Sequence, residues 1–546
     1  MKTLLAAALA TALCCAPARA ARVPLPAELS VAELVGQTFM IAVDTSVAAK
    51  READIRAGRV GGGLLGWDRF TGGSARDLAE KLRSWSSASP HGIPFWLAAD
   101  FEGGAVAGQR GLGLARFPGS MALGAAGSDE LARETARETA RELRAIGVSI
   151  VFAPVLDLSR GPGLIVGVRA YGDDPALVAR LGAAAVLGYR EGGALAVAKH
   201  FPGHGGTAKD SHRGLIVDAR PRAALDADLI PFRAAIDAGA EAMMTAHVDF
   251  PALDPAPGRP ATLSSATLTG LLRGELGFRG LVVSDSLDMA AITGVESSSS
   301  AAVSALLAGN DVLLIGKADY PSAFSAVVSA VESGRVPRAR LEDAVARILE
   351  AKRALGLFDA GPPAGLDEAL LAPGRDAARR AAEAAVTLVR DDGVLPLRLK
   401  PDDVLALVVV RSSRYADEAA SFASEIARRH PRTVFVDVPD MSPKPKAIDD
   451  AASRVRGASA VIVGTFQYGD LVLRGQNALL RRLELGPAPV IAVSLMAPYD
   501  IPVAAGARAA LCVYGMTESS LAAAARVIFG EIPARGRLPV KLPDGA

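Results

Sequence analysis

Short apolar runs separated by helix-like patterns recur along the first part of this chain, and no other feature limits its fold so tightly. The runs are Phe39 to Val43, Gly62 to Gly66, Phe95 to Ala99, Ser149 to Leu156, Ala194 to Ala198, Ala242 to Ala246, Leu281 to Val283 and Val312 to Ile315. Each has the length of a buried strand rather than of a helix. Amphipathic stretches fill most of the gaps. The clearest spans Ser128 to Ile146, with Ser128 as cap, Asp129 and Glu130 in the first turn and Gly147 as the stop. Strand and helix alternating over roughly 300 residues predict an α/β fold, a (β/α)8 barrel of the TIM type.

Polar residues gather where these runs end. Asp100 follows the third, Asp157 the fourth, Lys199 and His200 the fifth, His247 the sixth and Asp285 the seventh. A barrel of this type builds its active site at the C-terminal ends of its strands, so these residues converge on one face if the fold is right.

The barrel pattern fades near Leu357, and Gly361-Pro362-Pro363-Ala364-Gly365 reads as a connection. The expected division is a catalytic barrel over 21–357, a linker over 358–376 and a smaller C-terminal α/β three-layer sandwich over 377–546. Apolar runs at 404–410, 433–436, 460–463, 490–493 and 509–513 supply its strands. No dinucleotide or Walker glycine pattern occurs in it.

Residues 1–20 read as an export signal. Lys2 is the positive start, Leu4 to Leu13 the apolar segment and Ala18-Arg19-Ala20 the cleavage site. Cys14 and Cys15 leave a lipid anchor open as an alternative to plain secretion or a periplasmic location. No later segment is long and apolar enough for a membrane span. Cys512 is then the one remaining cysteine, and its apolar neighbours predict a buried thiol. The net charge of +1 and the absence of a basic stripe argue against nucleic acid as a partner.

Three of the six histidines lie between Lys199 and His212, in a stretch whose glycines and proline forbid a helix. Asp210 stands two residues before His212, and a carboxylate bonded to one ring nitrogen leaves the other to carry a proton. A turn formed by Asp210 with an incidental His212 is the plain alternative. Asp285 ends an apolar strand near cationic residues, which suits a nucleophile or a stabiliser of positive charge; capping a helix is its plain alternative. Asp288 reads as structural. A metal site of His200, His204, Asp210 and His212 is disfavoured because Pro202 and Gly203 break the alignment of ligands. No Gly-x-Ser-x-Gly elbow stands at a strand–helix turn. No metal and no cofactor are expected.

Lys199 to Gly205 followed by Asp210-Ser211-His212 resembles the Lys-His-Phe-Pro-Gly-His-Gly…Asp-Ser-His signature of family 3 glycoside hydrolases, in the β-N-acetylglucosaminidase branch. Asp100-Phe101-Glu102-Gly103-Gly104, Phe152 to Asp157, Arg169 to Pro175, Pro260 to Ser264 and Leu276-Gly277-Phe278 are similar to further family motifs in the same order. Val386 to Arg390, Leu395 to Leu397 and Gly536 to Val540 are similar to the second domain that many members carry. The resemblance implies a retaining exo-hydrolase acting on a carbohydrate with terminal N-acetylhexosamine, such as wall peptidoglycan fragments or chito-oligosaccharides. It implies Asp285 as nucleophile, His212 as acid and base, and Asp210 as the residue that orients His212. Asp100, Arg169, Lys199 and His200 would hold the sugar, with His247 a further candidate. Phe101 replaces the usual Gln, and Ala105 and Gly108 stand where Arg is common, with Arg110 nearby. A β-glucosidase-type activity, phosphorolysis in place of hydrolysis, and an inactive wall-binding protein are the competing readings.

Overall fold

The computed structural model describes residues 22–66, 70–106, 110–162, 166–206, 213–316, 319–468 and 474–543. The predicted signal segment, Asp210, Ser211, His212 and Gly108 lie outside these residues, as does the Arg110 side chain.

Eight parallel strands form the barrel: β1 (Phe39–Val43), β2 (Gly62–Leu65), β3 (Trp96–Ala99), β4 (Ile150–Val151), β5 (Leu195–Phe201), β6 (Ala242–Thr245), β7 (Leu281–Val283) and β8 (Leu313–Ile315). Each pairs with its neighbour in sequence, and β1 pairs with β8. A parallel bridge from Val283 to Val312 closes the ring between β7 and β8. Alternate residues fill its interior, among them Met40, Trp96, Ile150, Phe152, Val197, Met244, Val283 and Leu314. Burial of such side chains contributes roughly 1.5–3 kcal/mol each, which fixes the strand register.

Two strands differ from expectation. β4 keeps only two paired residues, although Val155 bridges to Lys199 beyond it. β5 runs past Ala198 through Lys199 and His200 to Phe201, with a register shift against β6 between Ala198 and Phe201. Adjacent strand side chains normally face opposite ways, and a bulge re-aims one of them. Lys199 and His200 consequently both reach the pocket described below. The Lys199–His200 and Phe201–Pro202 peptides are cis.

The second sheet comprises β9 (Thr387–Asp391), β10 (Leu405–Val410), β11 (Thr433–Val438), β12 (Ala460–Thr465), β13 (Val490–Ser494) and β14 (Ala509–Cys512), in the order β9-β14-β13-β12-β10-β11. All pairs are parallel except β9 with β14. Helices Ala416–Arg429 and Glu518–Ile528 pack together, as do helices Pro445–Arg454 and Arg474–Glu484, so the sheet lies between helical layers.

The expected linker is only partly irregular. Helix Glu368–Ala385 starts inside it and runs into the second domain, with Pro373 in its interior. A proline deletes one helical hydrogen bond but does not abolish a helix buried by its neighbours. This helix packs on the barrel helix Asp129–Ala145 and on Glu518–Ile528. Met121, Ala122, Ala125 and Val168 of the barrel join the apolar core of the second domain. Arg116 pairs with Glu418 at 2.8 Å, and Ser159 and Tyr499 share a hydrogen bond of 2.8 Å. The two domains are therefore docked through a shared core and polar clasps.

Among the described residues, no helix is long and apolar enough to cross a membrane. Cys512 is a fully buried thiol, and burial pushes it well above its ordinary range.

Candidate active site

A pocket of about 640 Å³ opens at the C-terminal ends of the barrel strands. Asp100, Arg169, Lys199, His200 and Asp285 line it, so five residues singled out from sequence converge there. Glu102, His204, Asp288 and Tyr468 line it too.

A web of opposite charges forms one side. Arg169 donates two hydrogen bonds to Glu102, at 2.8 and 2.7 Å. Lys199 Nζ lies 2.8 Å from both Asp100 and Glu102. Burial alone would raise the Glu102 carboxyl, but Arg169 and Lys199 outweigh it and hold Glu102 well below the usual carboxylate range. Burial would lower Lys199, yet Asp100 and Glu102 keep it above its ordinary value. These groups therefore stay ionised while shielded from water, a state that persists only because each is paired.

Asp157 holds the floor. Its carboxylate lies 2.6 Å from His200 Nδ1 and accepts the backbone N–H of His204 at 2.6 Å. Burial would raise Asp157, and His200 and His204 bring it below its ordinary value. A carboxylate at Nδ1 leaves Nε2 of His200 to face a ligand. Burial and the neighbouring His200 push His204 down to about 4, so that ring is neutral.

Asp285 stands just beyond β7. The Ser286 backbone N–H donates to it at 2.7 Å. Burial acts to raise it; His247, His200, the Ser286 N–H and Lys199 reverse this and keep it below its ordinary value. The result is an ionised carboxylate in a sheltered pocket, as a nucleophile toward an electrophilic carbon requires. Asp288 fixes the same turn, accepting from the Ser286 hydroxyl and from the Gly316 N–H at 3.1 Å. It also lines the pocket.

His247 does not join the sugar-facing residues. Its Nε2 donates to the Ser286 carbonyl at 2.9 Å, and its Nδ1 lies 2.7 Å from the Thr262 hydroxyl. With both nitrogens committed and the ring 1% exposed, it braces the Asp285 turn from behind. The structure thus places this sugar-binding candidate beside the Asp285 turn, outside the residues that line the pocket. Asp210 and His212 lie outside the described residues, so their geometry does not enter this description. No cluster of metal-ligating side chains occurs among the described residues.

Sequence reasoning passed over Glu102 and Tyr468. Glu102 stood within a recognised motif, and its position two residues past the polar stop Asp100 was the available signal. Nothing local marked Tyr468, which comes from the second domain.

Comparison with known proteins places this geometry in context. The profile of the glycosyl hydrolase family 3 N-terminal domain matches residues 30–351. Beta-hexosaminidase A of Pseudoalteromonas piscicida is 34% identical over 370 residues, covering 63% of this chain and 61% of that protein, so the chain spans less than two thirds of it. A beta-hexosaminidase of Xylella fastidiosa is 40% identical over 282 residues, covering 50% of this chain and 81% of that protein. The solved family 3 beta-N-acetylglucosaminidase of Paenibacillus sp. superposes with a TM-score of 0.87 at 33% identity, covering 94% of this chain and 99% of that one.

Proposed function

This chain belongs to glycosyl hydrolase family 3, and from that premise we propose that it is a retaining exo-β-N-acetylglucosaminidase. The observation that carries the reading is the Asp285 carboxylate, held ionised by His247, His200 and Lys199 in a pocket that also contains the ion-paired web of Asp100, Glu102, Arg169 and Lys199.

The chemistry follows from these residues. Asp285 attacks the anomeric carbon as the glycosidic bond breaks, and the sugar is held covalently on its carboxylate. His212, oriented by Asp210, protonates the leaving oxygen and then takes a proton from the water that releases the sugar; this role rests on the sequence signature. Asp100, Arg169, Lys199 and His200 bind the sugar through charge-assisted hydrogen bonds. His247 keeps the Asp285 turn in place. The names of the two relatives and of the solved Paenibacillus enzyme support an N-acetylhexosamine substrate.

We further propose that the protein is exported and acts on wall peptidoglycan fragments. The support is the charged start, apolar segment and small-residue cleavage site within residues 1–20.

The test is hydrolysis of aryl β-N-acetylglucosaminides by wild type and His212→Ala, beside the matching aryl β-glucoside. Wild type is expected to prefer the N-acetylglucosaminide. His212→Ala is expected to be slow on poor leaving groups and less impaired on good ones. A wild type that ignores the N-acetylglucosaminide and cleaves the glucoside would overturn the substrate assignment.

A further inference from the structure

One wall of the pocket is not made by the barrel. Tyr468 follows β12 of the second domain and lines the same cavity as Asp285. The second sheet reverses its strand order between β10 and β12. The crevice at such a switch point, beyond the carboxyl ends of the strands, is where open α/β sheets bind ligands. Here the loop leaving that crevice delivers a side chain to the barrel instead.

The stem of Tyr468 is held firmly. The Gln476 side chain accepts from the Phe466 N–H at 2.7 Å and donates to the Phe466 carbonyl at 2.8 Å. The same amide donates to the Met441 carbonyl at 2.9 Å. The Ala497 N–H donates to the Gln467 carbonyl at 3.2 Å. The Phe466 ring packs against Tyr415, with centroids 5.2 Å apart. Both residues before Tyr468 are thus fixed by hydrogen bonds, on a domain clamped to the barrel. A preorganised side chain of this kind lowers the cost of ordering a ligand.

The cavity that Tyr468 lines also holds Asp285 and the ion-paired Arg169 and Glu102. A sugar whose anomeric carbon meets Asp285 therefore shares this cavity with the Tyr468 side chain.

We propose that Tyr468 is a substrate-binding residue contributed by the second domain, which contacts the sugar held over Asp285 through its ring and hydroxyl. This rests on the N-acetylglucosaminidase reading above. A tyrosine suits the task because its ring covers sugar C–H groups while its hydroxyl reaches a polar partner.

The test compares wild type, Tyr468→Phe and Tyr468→Ala on a nitrophenyl β-N-acetylglucosaminide and on N,N′-diacetylchitobiose. It also measures the inhibition constant of free N-acetylglucosamine, which has no leaving group. Tyr468→Ala is expected to lose about 100-fold in kcat/KM, and Tyr468→Phe about tenfold, the worth of one hydrogen bond in a sheltered site. The loss should be equal on both substrates, and the inhibition constant should rise in parallel. Equal melting temperatures exclude a folding defect; if Tyr468→Ala does not fold, Tyr468→Phe decides. Variants within twofold of wild type would overturn the proposal. So would a loss confined to chitobiose with unchanged inhibition by N-acetylglucosamine, since Tyr468 would then serve the leaving group. A wild type inert on every N-acetylglucosaminide would overturn this proposal together with the proposed function, whereas an active wild type with unchanged variants overturns the Tyr468 assignment alone.

Discussion

Asp285 and Asp500 are carboxyl groups set beyond the ends of parallel strands, β7 in the barrel and β13 in the second domain, and their surroundings drive them in opposite directions. Burial acts on both to favour the neutral acid. Around Asp285 two histidines, a lysine and a backbone N–H outweigh it, so the group stays charged and faces the pocket. Around Asp500 burial prevails, offset only in part by the nearby Ser494 and Thr465 hydroxyls, and the group is raised. Its two oxygens are buried with no hydrogen-bond partner among the described residues. Two similar sheet ends thus hold one carboxyl below its ordinary range and the other above it. What separates them is the lysine and histidines brought in by neighbouring strands, and the barrel closes a ring of eight such strands around one point.

The sharpest way to break this contrast is Asp285→Ala. Loss of the nucleophile should lower kcat by about 10⁴-fold or more while circular dichroism stays that of wild type; turnover near wild type would refute the assignment. Next in size is Glu102→Ala, which removes the ion-pair partner of Arg169 and leaves Lys199 with Asp100. Removing one partner from such a web costs about 3–5 kcal/mol, to be read from urea unfolding, and KM should rise as both cations shift. A melting curve matching wild type would show that the web is not paired in solution.

A finer test uses neutral isosteres at both carboxyls. Asp500 is raised above its ordinary value of 3.8, so it supports folding fully below pH 3.8 and less as pH rises through its folded value. Asp500→Asn should therefore match wild type at pH 4 and exceed it at pH 8, by about 1 kcal/mol, with activity unchanged. Asp285 is lowered below 3.8, so its contribution is present above pH 3.8 and lost as pH falls through the folded value. Asp285→Asn should accordingly be less stable than wild type at pH 7. Thermal shifts at the two pH values read both, and shifts of the same sign at neutral pH would contradict the contrast. The smallest effect is kinetic: the acid limb of kcat/KM that reports Asp285 should fall below pH 3.8, and a limb from this group near pH 5 would show that its neighbours do not hold it down.

Much of the barrel was legible because buried parallel strands leave continuous apolar runs, and polar residues end them on one face. Asp100, Lys199, His200 and Asp285 could be read for that reason. β9 was missed because it is an antiparallel edge strand that exposes Leu388 and Asp391 and carries a charged pair at its end. The start of helix Glu368–Ala385 was missed because Pro373 reads as a break, and packing against two domains overrides it. His247 sat at the right strand end, but only the fold shows that both its nitrogens are taken by Thr262 and Ser286. Tyr468 had no local signal, because its role depends on how one domain docks on the other.

The central claim is a covalent sugar on Asp285, and trapping it is the most direct measurement. A slow fluorinated N-acetylglucosaminyl substrate would be incubated with the enzyme, followed by intact mass spectrometry and peptide mapping. The account predicts one sugar per chain, carried by the peptide that contains Leu281 to Met289 and located on Asp285, with none on Asp285→Ala. A sugar attached to any other residue, or turnover with inverted anomeric configuration and no adduct, would contradict it.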